Sequence, residues 1–304
     1  MSDNKSRRGF LQAVSVTGLA AGTGSAGNAF ANEDAPIRTS NLSPAGDKYI
    51  DPDKVLLYEC TRKEVREWQA SGRLRAAIIP TGATEQHNEH MAMIMDTGSS
   101  LLISQQVALK LYPHVIVTTP VPIGVSPYWM NRQGTLTLRK EIFLGVVYDI
   151  CCCVKTHGID TILIVNGHGG NAKSLSEGVP EFRSKLGINI DYCSYWDTMP
   201  KELTLPLMDS GDYPGHASEF ETAFALAAFP ERIRRVTYEG KDPYKWDVDR
   251  EDLDRVGHYK ATFDTPDFDK KTFEESLLAT KEKGEKAIAI AVTSVAKKLQ
   301  KMIG

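Results

Sequence analysis

Apolar positions along this chain fall into short unbroken runs that alternate with longer stretches at helical spacing. Ala76-Ala77-Ile78-Ile79-Pro80 is apolar throughout and reads as a buried strand closed by proline. Val115-Ile116-Val117-Thr118 is a β-branched strand. Thr161-Ile162-Leu163-Ile164-Val165 is the clearest buried strand, and residues 188–193 give one more. Between the strands, Leu101, Leu102, Gln105, Val107, Ala108 and Leu111 recur at helical spacing within 98–111. Helices are also expected over 62–71, over 139–156, and after Asn171 to about Lys185. Ile288, Val292, Val295, Leu299 and Met302 mark a closing amphipathic helix. Fully apolar strands alternating with helices predict a three-layer α/β/α fold, a mainly parallel sheet with helices on both faces. In such sheets ligands bind beyond the carboxyl ends of the strands.

Two stretches break the pattern. Residues 120–138 form a long aperiodic loop with Tyr128, Trp129 and Arg132, which suits a substrate-facing lid. Residues 239–270 are dense in Asp, Lys, Pro and Tyr without an apolar period and read as an excursion over the surface. No internal repeat or second domain is visible, so residues 32–304 are expected to be one domain, entered by an extended lead-in over 32–55.

The first 31 residues are expected to be a signal peptide rather than part of the fold. Ser6-Arg7-Arg8-Gly9-Phe10-Leu11-Gln12 is a twin-arginine pattern, followed by a mildly apolar segment over 13–21 and by Ala29-Phe30-Ala31 as a cleavage site. The apolar segment is too short to span a bilayer, so a soluble periplasmic protein exported by the twin-arginine route is expected. Charged residues make up 25% of the 304 and the net charge is −3, with Lys and Arg scattered, so no nucleic-acid partner is expected. The five cysteines, Cys60, Cys151, Cys152, Cys153 and Cys193, lack metal-site spacing and read as small core residues.

Three loops carry candidate chemistry. After the first strand come Glu85, Gln86, His87 and His90, then Asp96. In extended chain Glu85 and His87 share a face, and Asp96 is far enough on for the loop to return a third ligand. Imidazole and carboxylate suit zinc, manganese or iron(II), although a polar loop facing water has the same composition. After the third strand comes Asn166-Gly167-His168-Gly169-Gly170-Asn171, whose glycines allow close backbone approach. A phosphate cradle is a weaker reading, because neither Gly-x-Gly-x-x-Gly nor a Walker pattern is present. The third loop, Gly215-His216-Ala217-Ser218-Glu219-Phe220-Glu221-Thr222, opens a helix with Ser218 as N-cap. Glu219 and Glu221 in its first turn also answer the helix dipole.

These residues resemble the creatininase (creatinine amidohydrolase) family. Glu85-Gln86-His87 with Asp96, the Asn-Gly-His loop ending at His168, Ser194-Tyr195-Trp196-Asp197, and His216 with Phe220-Glu221-Thr222 are similar to that family's motifs in the same order. The resemblance implies a binuclear metal site: Glu85 and His168 on one ion, His87 on the other, and Asp96 between them. Such ions share a hydroxide and polarise the substrate carbonyl. His216 would move protons to the leaving nitrogen, with Glu221 beside it as base or ligand. By the same likeness His90 is either a substrate contact or a packed histidine and Trp196 would wall the pocket, while Gly169 and, from the lid loop, Trp129 are also expected to face the substrate. Gly170 departs from the family, which has a metal-binding glutamate there, and Glu219 is expected to supply the missing carboxylate. The tryptophan that the family carries upstream of the shuttling histidine is replaced by Asp212-Tyr213-Pro214. The expected protein is an exported homo-oligomeric amidohydrolase, a hexamer by likeness, with two divalent ions and a small-molecule amide substrate. Its target would be a non-peptide C–N bond, a cyclic amide being one candidate. A metal-containing periplasmic binding protein without turnover is the alternative.

Overall fold

Four strands carry the apolar runs into one sheet: β1 (Ala76–Thr81), β2 (Val115–Val117), β3 (Thr161–Asn166) and β4 (Asn189–Ser194). The structure, a computed structural model, describes residues 52–130, 132–238 and 266–304, all within one unit spanning 40–304. The strands pair in parallel in the order β2-β1-β3-β4. Ile78 stands between Val117 and Leu163, and Ala77 between Ile116 and Ile162. Because successive side chains leave opposite faces, Ile78, Val117 and Leu163 enter one core while Ala77, Ile79 and Ile164 enter the other. A strand needed by two cores must be apolar throughout, which is why these runs do not alternate with polar residues.

The helices are α1 (Arg62–Ala70), α2 (Met95–Lys110), α3 (Lys140–Thr156), α4 (Gly169–Leu186), the short α5 (Lys201–Thr204), α6 (Glu219–Ala228), α7 (Pro266–Ser276) and α8 (Lys281–Ile303). α2, α6 and α8 bring Ile103, Val107, Phe224 and Val295 to the first core; α3 and α4 bring Phe143, Val147, Leu175 and Val179 to the second. Burying each such side chain stabilises by roughly 1.5–3 kcal/mol, so both layers hold the sheet. Local signals set the ends. Thr61 and Glu64 form a capping box at α1, and α4 stops at Gly187, whose φ of 66° suits glycine.

The expected three-layer parallel architecture is what forms. Several finer readings change. The surface excursion read over 239–270 is helical from Pro266 onward, as α7, and 239–265 lies outside the described residues, as do the signal segment and the lead-in up to residue 51. Cys151 and Cys193 are buried, but Cys153 is exposed and Cys60 and Cys152 are only half-buried. Consecutive positions on a helix point about 100° apart, so three adjacent cysteines cannot all face the core. No helix among the described residues is long and apolar enough to cross a membrane.

Every strand delivers a loop to one edge. β1 leads to Glu85 and His87, β2 to Tyr128 and Trp129, β3 to His168 and β4 to Trp196.

Candidate active site

Two buried asparagines fasten these loops together. The Asn166 side chain accepts from the His168 amide (3.1 Å) and donates to the Ser194 hydroxyl (3.1 Å). Asn171 donates to the Gly82 carbonyl (3.0 Å) and accepts from the Val125 amide (2.9 Å), joining the loops after β1, β2 and β3. Gly167 lets the Asp96 backbone approach closely, since a Cβ at 167 would strike its carbonyl oxygen. Asp96 thus enters from the first turn of α2.

Its carboxylate is the centre of the site. Oδ1 lies 3.0 Å from Nε2 of His87, and Oδ2 lies 2.9 Å from Nδ1 of His168. Glu85 Oε1 lies 3.3 Å from the same His168 nitrogen, and Glu221 Oε2 lies 3.6 Å from Nε2 of His87. Each imidazole is oriented from behind. His87 Nδ1–H donates to the Glu85 carbonyl (3.1 Å). His168 Nε2 meets the Ser126 hydroxyl (3.0 Å) and the Val125 carbonyl (3.2 Å). The nitrogens left over therefore turn toward the carboxylates.

His216 stands over this cluster. The Gln86 amide, whose oxygen accepts from the Asn88 N–H (2.9 Å), donates to His216 Nε2 (2.9 Å). Trp129 stacks on the His216 ring at 4.7 Å with 23° between planes. Ala217, with φ of 48°, gives its amide to Glu221 Oε2 at 2.6 Å, which offsets the strain of that backbone. A cavity of about 380 Å³ opens above, lined by Tyr128, Trp129, Trp196, Pro214, His216 and Phe268, among others.

The electrostatics show what the cluster lacks. Burial opposes charge on His87, yet Asp96, Glu221 and Glu85 outweigh it and push its pKa up to about 10. Burial likewise opposes charge on His168, and Glu85 and Asp96 hold it well above its ordinary value. Burial would raise Asp96, but the two histidines hold it below the usual carboxylate range. Burial and the neighbouring Asp96 and Glu85 raise Glu221 to about 7 against the pull of His87. Burial and the proximity of His87 keep His216 well below its ordinary value. Two buried oxygens, Glu85 Oε2 and Asp96 Oδ2, lack a well-formed hydrogen bond, although Asp96 Oδ2 lies 2.9 Å from His168 Nδ1. Buried carboxylate oxygens without donors, clustered with imidazole nitrogens whose charge they hold in place, fit a positive ion.

The ligand atoms group accordingly. Glu85, Asp96 and His168 form one set, His87, Asp96 and Glu221 a second, and Glu85, His87 and His216 a third, each with atoms within 4.8 Å of one another. Trp129, Gly169 and Trp196 line the cavity. Two expectations are corrected. Glu219 stands apart from these sets: fully buried, it pairs with Lys283 of α8 and accepts the amides of Asp209 (3.1 Å) and Ser210 (2.7 Å). Residues two apart on a helix point about 200° apart, so once Glu221 faces the cluster Glu219 cannot. His90 is not a cavity residue either; its Nε2 bonds the Thr222 hydroxyl (2.9 Å) and its ring meets the edge of Phe273. At Gly170 a Cβ would strike the Val125 carbonyl and the Tyr128 hydroxyl, so the region into which a side chain would extend is already filled. Phe268 was not foreseen, because it belongs to the stretch read as surface.

The model of the family described as creatinine amidohydrolase matches residues 58–299. The creatinine amidohydrolase of Pseudomonas putida is 26% identical over 273 residues, covering 80% of this chain and 95% of that protein. A 3-dehydro-scyllo-inosose hydrolase of Thermotoga maritima is 27% identical, covering 66% of this chain and 61% of its own length. A tryptophan-to-phenylalanine variant of creatininase superposes with a TM-score of 0.65 at 25% identity, over 81% of this chain and 98% of that one. Zinc–zinc and manganese forms of creatininase share the fold at TM-scores of 0.64 and 0.63, with 22% and 23% identity and 81% of this chain covered by each. They cover 97% and 98% of those chains. The chain belongs to the creatininase family of amidohydrolases.

Proposed function

We propose that the protein is a metal-dependent hydrolase of a non-peptide C–N amide bond, working at the cluster around Asp96. The observation that carries this reading is that Asp96 belongs to two ligand sets at once while one of its buried oxygens lacks a well-formed hydrogen bond. Glu85, Asp96 and His168 would hold one divalent cation, and His87, Asp96 and Glu221 a second, with zinc and manganese both suited to the donors. The zinc and manganese forms of creatininase support the same choice here. Two such ions would supply a Lewis-acidic centre that polarises the scissile carbonyl and makes water acidic enough to attack it.

The chain's own groups do the rest. Trp129 and Trp196 flank the cavity and restrict the orientation of the bound amide. His216 is neutral at neutral pH, because burial and two neighbouring histidines disfavour its charge. Its basic atom is Nε2, the one that accepts from Gln86, so proton uptake from water exchanges that hydrogen bond for a bond to hydrogen. The imidazolium then delivers a proton to the departing nitrogen. The aromatic cover limits solvent access while this happens.

The test is a panel of small lactams, formamides and short peptides offered to zinc- and manganese-loaded protein. Amide hydrolysis that stops on chelation and returns with metal is expected. Ligands recovered uncleaved would favour a binding protein, and turnover that survives chelation would refute the reading. The twin-arginine pattern supports export to the periplasm, tested by fusing residues 1–31 to a reporter. The family likeness supports a homo-oligomer, which light scattering of the purified chain tests.

A further inference from the structure

The first turn of α7 lies 170 residues or more beyond the loop that carries His87, yet it is fastened to that loop and to the one after β2. Asn88, next to His87 and with φ of 56°, donates to the Asp269 carbonyl at 2.8 Å and to the Thr272 hydroxyl at 3.2 Å. Arg132, beyond Trp129, holds the Asp269 carboxylate at 2.8 Å, with side chains only 12% and 17% exposed. Between these two grips Phe268 faces the cavity and lies 5.9 Å from Trp129, tilted by 40°. Trp129 in turn stacks on His216. One continuous path of packed side chains therefore runs from α7 to the proton-carrying histidine.

Trp196 and Pro214 also line the cavity, and the described lining residues include no Lys or Arg. Outside the acidic cluster the walls are aromatic or apolar. Away from the ligand cluster such a surface favours an uncharged, apolar substituent.

We propose that Phe268 is a specificity-determining residue: with Trp129 and Trp196 it seats an uncharged aromatic or branched apolar group on the part of the amide that does not react. Arg132, Asp269 and Asn88 are the positioning residues that hold it there. The identity of the cleaved bond rests on the amidohydrolase reading, but the seat itself does not.

The test compares binding of benzamide and acetamide to the full chain by calorimetry, zinc-loaded and after chelation. Benzamide should bind about tenfold more tightly in both forms, equivalent to about 1.4 kcal/mol. Phe268→Ala should reduce that ratio to about threefold or less, because benzamide binding weakens more than acetamide binding, and Phe268→Leu should keep most of it. Arg132→Ala should lower the ratio as Phe268→Ala does, although the phenyl ring is still present, and Arg132→Lys should restore part of it. If turnover is found, Phe268→Ala should raise KM for aryl amides more than KM for acetamide. A wild-type ratio near one, undetectable benzamide binding, or a ratio that Phe268→Ala leaves intact would overturn the proposal. Benzamide preferred as expected with no amide in the panel cleaved would overturn the hydrolase reading and leave the seat standing.

Discussion

Replacing Asp96 by asparagine keeps the shape of the side chain and removes the one charge that both ligand sets share. The carboxylate lies 3.0 Å from His87 and 2.9 Å from His168, fully buried. Removing one partner of a buried charged pair costs roughly 3–5 kcal/mol. At about 1.4 kcal/mol per tenfold, cation affinity should fall by a few hundredfold to a few thousandfold. Thermal unfolding of chelated protein, with zinc then added, reads this directly. Zinc at a hundred times the wild-type Kd should stabilise the wild type by about 2.7 kcal/mol, and a variant with a few hundredfold weaker binding by only about 0.2 kcal/mol. Glu85→Gln and His168→Ala disturb the first set without touching Glu221, so each should retain more metal than Asp96→Asn. If Asp96→Asn shows the wild-type zinc response and keeps two ions per chain, the shared-carboxylate reasoning fails.

Other outcomes rest on the same geometry. Glu219→Gln should keep full metal content and lose roughly 2–3 kcal/mol of stability, because it breaks the Lys283 pair without touching the ligands; elemental analysis and denaturant unfolding measure both. Gly170→Ala should destabilise by roughly 1–3 kcal/mol through overpacking against Val125 and Tyr128, seen in the same unfolding assay. His216→Ala should retain both ions and lose roughly 10²–10⁴ in kcat, read by metal analysis beside steady-state rates. For metal-free protein the pH sign comes from His87, whose pKa is raised from its ordinary 6.5 to about 10. Its contribution is complete below about 6.5 and lost as pH rises through about 10, so the Tm of chelated protein should fall across that window. Zinc affinity should rise over the same window, since the ligand histidines must shed protons first.

The sheet was legible because each strand serves two cores, and double burial leaves an unmistakable apolar run. The candidate ligand residues were legible for a related reason: Glu85, His87, Asp96 and His168 sit where strand ends must deliver loops to one edge. Direction within a helix could also have been read. Glu219 and Glu221 are two positions apart in a first turn, and that spacing alone sends their carboxylates to different sides. The partner that decides which one faces inward, Lys283, lies 64 residues away, and no local pattern announces it. Phe268 was hidden for the same cause. Its turn is polar in sequence, and only the Arg132–Asp269 and Asn88–Asp269 contacts, each well over a hundred residues apart, bring it over the site. His90 belonged to a motif by position, yet its side chain turns to Thr222 and Phe273 rather than to the cavity.

The central claim is that one aspartate joins two cations. Crystals of zinc-loaded protein, measured on both sides of the zinc absorption edge, test it most directly. The account predicts two anomalous peaks, one beside Glu85 and His168 and one beside His87 and Glu221, with Asp96 in contact with both. A single peak, or two peaks of which Asp96 touches only one, would contradict it.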